Sequence, residues 1–341
     1  MKTIPSLDRF QAQSKGEILD QKRVIGMRVW HPTRRQVLAA AVATGSGLAS
    51  TSAPKGVGKG TKNVKKEVGY FHVNDGVRLY FEQAGSGTPI ILIHGGGLSL
   101  VWWRRNFPVL ANDFHVIATD TRGCGRSDKL AWGHRTARYA KDVYDIIKAF
   151  NLYDVTLVGW SIGARTCYSY LELFGRHRLR AIVIVDETVH HEVHQAPLPG
   201  SEKQPRESNE AYRQRSLRSM VSPRAPDKVT DEELKWMLAS AANLPVTLGA
   251  DYRAQDWRPL CPVIGVPVLI AAGRHSTALP GCLYAAEHIP GANLIVFEQS
   301  GHCPFYTEAG KFNRVVTEFV NRTPRSKVPC HLRGRPARCL E

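Results

Sequence analysis

Apolar residues in the middle of this chain gather into short, nearly unbroken runs. Residues 89–93 (PIILI), 155–158 (VTLV), 179–185 (LRAIVIV) and 267–272 (PVLIAA) each read as a strand covered on both faces. Residues 114–120 and 293–297 add two more. A different pattern, alternating over 68–73 and 77–81 around Asn74-Asp75-Gly76, predicts a β-hairpin. Between these runs the period changes. Tyr139, Val143, Ile146, Ile147 and Phe150 recur at helical spacing, and residues 312–320 predict a closing amphipathic helix. Strands alternating with helices imply an α/β fold, a mostly parallel sheet with helices on both faces.

The strand rhythm stops between Asp186 and Pro262. Residues 195–208 are polar and Pro-rich, and 208–220 are basic and helix-compatible. Thr230-Asp231-Glu232-Glu233 is a capping box that opens a further helix through Leu234, Met237 and Leu238. This pattern predicts a helical cap over 188–262, inserted into a core made of 66–187 and 263–321.

Composition changes the picture mainly at the ends. The chain has 341 residues, 43% of them hydrophobic, enough for a sizeable core. The net charge of +16 sits largely outside that core: residues 1–60 carry ten Lys/Arg against three Asp/Glu, and 322–341 carry six against one. A nucleic-acid surface is therefore not expected, since the basic residues form no patch within the patterned region. No stretch of 18 apolar residues occurs, so no stable membrane anchor is expected either.

Within the first 53 residues, Thr33-Arg34-Arg35-Gln36-Val37-Leu38 resembles a twin-arginine export motif. A weakly apolar run to Leu48 follows it, then small residues around Ala49 and Ala53 where a signal peptidase could cut. Residues 1–53 are expected to be a removed leader, with Met1 or Met27 as its start. The chain would then meet the twin-arginine export machinery transiently and end in the periplasm or outside the cell. Residues 54–65 read as a linker and 322–341 as a basic tail. Seven cysteines are present, none at C-x-x-C spacing, and the odd count leaves at least one thiol unpaired. Cys330 and Cys339 are placed to close a small loop in the tail.

The candidate chemistry centres on Gly159-Trp160-Ser161-Ile162-Gly163, set between the 155–158 strand and a helix-compatible stretch. This is G-x-S-x-G in the strand-turn-helix context that a nucleophile elbow needs: small residues allow the sharp turn, and the helix N-terminus favours developing negative charge. A serine hydroxyl needs an adjacent base, and His302 follows the last strand in Ser300-Gly301-His302.

His94-Gly95-Gly96-Gly97, the 120–128 run DTRGCGRSD, Gly159–Gly163 and Gly301-His302 together resemble the α/β-hydrolase fold over roughly 66–321, closest to esterases and to the cofactor-free haloperoxidase-like branch. The resemblance implies Ser161 as nucleophile and His302 as base. It implies an oxyanion hole from the backbone N–H groups of Gly96 and Ile162. The acid departs from the commonest pattern. After the 267–272 strand the family usually reads Gly, two variable residues, then Asp; here Gly273-Arg274-His275 leads to Ser276. The strand end used in some branches offers Asp186, with Glu187 as the alternative acid.

Asp120 and Asp128 read as loop-pinning residues. His190, His191 and His194 are one residue short of H-E-x-x-H, so no metal is expected, and no other cofactor. Trp102, Trp103 and Trp160 are candidates for pocket walls or for core. The expected function is cleavage of a small-molecule carboxylic ester or lactone through an acyl-enzyme. The same residues also serve a cofactor-free peroxidase or perhydrolase, and a weakly catalytic binding protein is a third reading. A serine rather than an aspartate at 161 argues against dehalogenase or epoxide-hydrolase chemistry.

Overall fold

The computed structural model describes residues 64–191, 220, 230–239 and 246–325. The leader over 1–53, most of the linker, the helix expected over 208–220 apart from residue 220, His194, Cys330, Cys339 and the tail beyond 325 lie outside the described residues.

Eight strands form one sheet: β1 (Glu67–His72), β2 (Arg78–Ala84), β3 (Pro89–Ile93), β4 (His115–Thr119), β5 (Val155–Trp160), β6 (Leu179–Val185), β7 (Val268–Gly273) and β8 (Asn293–Phe297). Their spatial order is β1-β2-β4-β3-β5-β6-β7-β8. The β1–β2 and β2–β4 pairs are antiparallel and the rest parallel. Patterning explains the placement. β3, β5 and β6 are buried along their whole length and lie in the middle, whereas β1 and β8 keep exposed or half-buried positions and form the edges.

Alternation along the central strands divides the core into two layers. Ile91, Ile93, Leu157, Ile182 and Ile184 pack on one face with residues of α1 (Thr136–Ala149) and α2 (Ile162–Phe174). Ile90, Leu92, Val158, Val183 and Val185 face the other way, onto Trp102, Trp103, Phe305 and the helix spanning Ala309–Arg322, which contributes Phe312, Val316 and Val320. Trp102, Trp103 and Trp160 are completely buried, so they serve as core.

Chain order reverses at β3: β4 lies on one side of it and β5 on the other. A crevice at the carboxyl ends of the strands is expected at such a switch point. The 94–97 turn leaves β3 there, and the 160–163 turn leaves β5. The register pairs Ile93 with Gly159, so both turns depart from the same level.

Two further helices belong to the region expected as a cap: α3 (Asp231–Ala239) and α4 (Val246–Ala254). The capping box forms at the start of α3, with Thr230 Oγ1 accepting the Glu233 N–H at 3.1 Å and Glu233 Oε2 accepting the Thr230 N–H at 2.9 Å. Glu233 also accepts hydrogen bonds from Arg105 Nη2 at 3.0 Å and Tyr306 Oη at 2.8 Å, which ties α3 to the core beside the His302 loop. Among the described residues no helix is long and apolar enough to cross a membrane.

Candidate active site

Ser161 stands between β5 and α2 with φ 54° and ψ −122°, a strained conformation for a residue with a Cβ. The turn is held because its neighbours are packed tightly. The Ser161 N–H donates to the Val185 carbonyl at 3.1 Å, and the Ser161 carbonyl accepts from Ala164 at 2.8 Å. A Cβ on Gly163 would lie 2.3 Å from the Ile93 carbonyl oxygen, so only glycine lets the elbow close against β3. Ser161 itself is half-buried.

Asp186 follows the last residue of β6 with φ 50°, and its N–H donates to the Ala271 carbonyl at 2.9 Å. Its fully buried carboxylate collects three donors. The Gly273 N–H reaches Oδ1 at 2.8 Å, His302 Nδ1 reaches Oδ2 at 2.6 Å, and the Ser276 hydroxyl also donates to Oδ2. A buried carboxylate is tolerable when its lone pairs are taken up in this way. Burial on its own pulls the His302 ring below its ordinary value. The hydrogen bond and charge of Asp186, with the charge of Glu187 behind them, outweigh that and raise it. Bonding through Nδ1 leaves Nε2 as the ring nitrogen able to act on another group. Among the described residues no hydrogen bond joins Ser161 Oγ to His302.

The loop that carries His302 sits against β7. A Cβ on Gly273 would lie 1.9 Å from the Gly301 carbonyl oxygen, so glycine is required for this approach. Trp160 ties the same loop to the elbow: its indole N–H donates to the His302 carbonyl at 2.8 Å, and the two rings lie 5.5 Å apart.

Ile162 opens α2, so its N–H has no helical acceptor. Gly96 lies in the turn after β3, and among the described residues neither N–H is taken by a backbone carbonyl. His94 fixes that turn. Its ring donates from Nδ1 to the Gly95 carbonyl at 2.7 Å and accepts the Thr121 N–H at Nε2, 3.0 Å. Burial lowers its affinity for a second proton, although the charge of Asp120 works the other way. Asp120 accepts the N–H groups of Leu100 and Arg126, each at 2.7 Å, and Asp128 pairs with Arg78 at 2.9 Å. Both carboxylates pin loops.

Glu187 faces different partners from Asp186. It lies 3.3 Å from Arg165 Nε and accepts the Thr188 N–H at 2.8 Å. Arg165 is buried too; it donates to the Tyr252 carbonyl at 2.9 Å and stacks on the Tyr252 ring at 3.6 Å. The pair thus fastens α4 to α2 and to the end of β6. The sequence signal for it is a lone arginine in the otherwise buried first half of α2. His190 lies in an isolated bridge with Asp256, and among the described residues no cluster of His, Cys, Asp and Glu is grouped to hold a metal. Cys124, Cys167, Cys261, Cys282 and Cys303 are buried free thiols.

Residues 88–231 match the family described as alpha/beta hydrolase fold. An uncharacterized protein of Mycobacterium tuberculosis is 30% identical over 276 residues, covering 74% of this chain and 81% of the relative. A non-heme chloroperoxidase of Kitasatospora aureofaciens is 26% identical over 271 residues, covering 73% of this chain and 98% of the relative. Among solved structures, an N-acyl homoserine lactone degrading enzyme superposes with a TM-score of 0.62 at 27% identity, covering 72% of this chain and 98% of that one.

Proposed function

From the premise that this chain belongs to the alpha/beta hydrolase fold family, we propose that it is a serine hydrolase cleaving a small carboxylic ester or lactone through an acyl-enzyme. The observation that carries this reading is the 2.6 Å bond between His302 Nδ1 and Asp186, beside a serine held on a strained elbow. In the first half-reaction His302 Nε2 takes the Ser161 proton as Oγ attacks the substrate carbonyl. The imidazolium that forms is stabilised by Asp186, which also fixes the tautomer. Negative charge on the tetrahedral oxygen is met by the N–H groups of Ile162 and Gly96, each such donor lowering the barrier by about 3–4 kcal/mol. His302 then gives its proton to the leaving alcohol. A water molecule repeats the sequence on the acyl-enzyme and frees Ser161.

Substrate choice belongs in this reading to the cap over 188–262, with α3 and α4 forming its described part. A lactone is an internal ester, so the lactone-degrading structural neighbour fits the same chemistry. The chloroperoxidase relative favours one second reading, in which peroxide in place of water attacks the acyl-enzyme and releases a peracid. We also propose that residues 1–53 are an export leader, on the Arg34-Arg35 motif alone.

Fluorophosphonate labelling, followed by p-nitrophenyl esters of increasing chain length, tests the assignment. Wild type is expected to label and turn over, and Ser161→Ala to do neither while keeping its circular dichroism. A variant retaining more than about a tenth of wild-type kcat would remove Ser161 from the nucleophile role, because loss of such a group costs roughly 10⁴ or more. Peroxide-dependent halogenation outpacing ester cleavage would favour the second reading.

A further inference from the structure

We propose that Ser276 is a positioning residue for Asp186, acting through a single shared oxygen atom. The turn after β7 wraps the carboxylate from both sides. At one end the Gly273 N–H donates to Asp186 Oδ1 at 2.8 Å; at the other the Ser276 hydroxyl donates to Oδ2, the oxygen that also receives His302 Nδ1 at 2.6 Å. The turn is closed on itself by the Ser276 N–H, which donates to the Gly273 carbonyl at 3.1 Å. The Ser276 hydroxyl is oriented in turn. Its oxygen accepts the Ala278 N–H at 3.1 Å, which directs the hydroxyl hydrogen at Asp186.

Two consequences follow from this geometry. Rotation of the buried carboxylate about its Cβ–Cγ bond is blocked, because either oxygen would leave a donor behind. The charge on Oδ2 is also divided between two donors, so His302 feels less of it than it would from an oxygen bonded to the ring alone. Ser276 therefore sets both the direction and the strength with which Asp186 holds the base, without touching the substrate.

This inference rests on the serine-hydrolase reading, and the test separates the two. Wild type, Ser276→Ala, Ser276→Thr, Asp186→Asn and the Asp186→Asn/Ser276→Ala double variant are labelled with fluorophosphonate. Their kcat/KM for a p-nitrophenyl ester is then followed against pH. Ser276→Ala is expected to lose about threefold to tenfold in kcat/KM, the scale of one hydrogen bond to a charged group only partly expressed in the transition state. Its acid limb is expected to move to higher pH, because the undivided charge on Oδ2 favours the imidazolium. Ser276→Thr keeps the hydroxyl and is expected to keep the wild-type limb. In the Asp186→Asn background the alanine is expected to cost little more, since the carboxylate it acts on is gone. A limb unmoved in Ser276→Ala, a limb moved equally in the threonine variant, or the same loss in both backgrounds overturns the proposal. If Ser276→Ala does not fold, the threonine variant and a Ser276→Cys variant, which donates weakly, carry the test: unchanged limbs in both overturn it. Wild type that fails to label overturns the hydrolase reading itself.

Discussion

Exchanging the carboxylates of Asp186 and Glu187 for amides, one at a time, separates two kinds of work done by adjacent residues. Glu187 sits in a pair with Arg165 in which the side chains are 3% and 0% exposed. Glu187→Gln leaves the guanidinium buried without its counter-charge, and breaking a buried pair from one side costs about 3–5 kcal/mol. Arg165 keeps the Tyr252 carbonyl at 2.9 Å and the Tyr252 ring at 3.6 Å, which places the expected loss at the lower end, about 3 kcal/mol. For a chain of this size, at about 2.1 cal/mol/K of unfolding entropy per residue, that is a fall in Tm of roughly 4–6 °C. The rate of the folded fraction is expected to stay within about threefold of wild type, since Glu187 bonds to neither Ser161 nor His302. Asp186→Asn reverses the pattern. The amide keeps the shape, but its NH₂ group offers a hydrogen to His302 Nδ1, which shifts the ring proton to Nε2 and removes the base. A kcat loss of about 10³–10⁴ is expected with a small change in Tm. Thermal melts by circular dichroism, and ester kinetics at a temperature well below Tm, measure the two axes. A collapsed rate in Glu187→Gln with a normal rate in Asp186→Asn would refute the reasoning and move the acid to Glu187.

Four further outcomes are expected. Because the fold raises His302 above its ordinary value of 6.5, the acid limb of kcat/KM should have its midpoint above pH 6.5 in wild type. The same shift adds stability that is fully present below about pH 6.5 and is lost as pH rises through the folded value; a Tm contribution from His302 that grows with pH would contradict it. Gly163→Ala forces a methyl against the Ile93 carbonyl oxygen at 2.3 Å, so overpacking should cost about 1–3 kcal/mol and displace the elbow; a variant with wild-type Tm and labelling rate would show that the close approach is not required. Arg34→Lys with Arg35→Lys is expected to hold the full-length chain in the cytoplasm of an exporting bacterium, and unimpaired export measured by fractionation and immunoblot would remove the leader reading.

Where one physical effect dominated, the sequence was easy to read. β3, β5 and β6 are continuous apolar runs because they are covered on both faces, and the Asp75-Gly76 turn announces the hairpin. The fold class and the strand ends bearing Ser161 and Asp186 were legible for that reason. Short helical turns left no such mark: Leu100–Arg105 and Phe107–Leu110 are too brief to show a period. The helix at Leu279–His288 hides its start behind Pro280 and Gly281, residues that ordinarily signal a turn. Pairings distant in sequence were less legible still. Arg165 and Glu187, or Arg105 and Glu233, meet only because strands and helices far apart in the chain become neighbours. Ser276 shows the limit most clearly. In the sequence it reads as a missing carboxylate; in the fold it is a donor to the carboxylate one strand away.

Strand order has a bearing on how the molecule comes into being during translation. Asp186 and His302 are 116 residues apart, and β8, which leads into the His302 loop, joins the sheet only by pairing with β7 at its far edge. A nascent chain emerging from the ribosome carries Ser161 long before its base has been synthesised. Contacts of such long range form late, because loop closure must precede them. On the proposed chemistry, the serine stays unreactive until the last strand has docked. A half-made or misassembled chain would then be silent toward the esters around it, and reactivity would report that the sheet is complete.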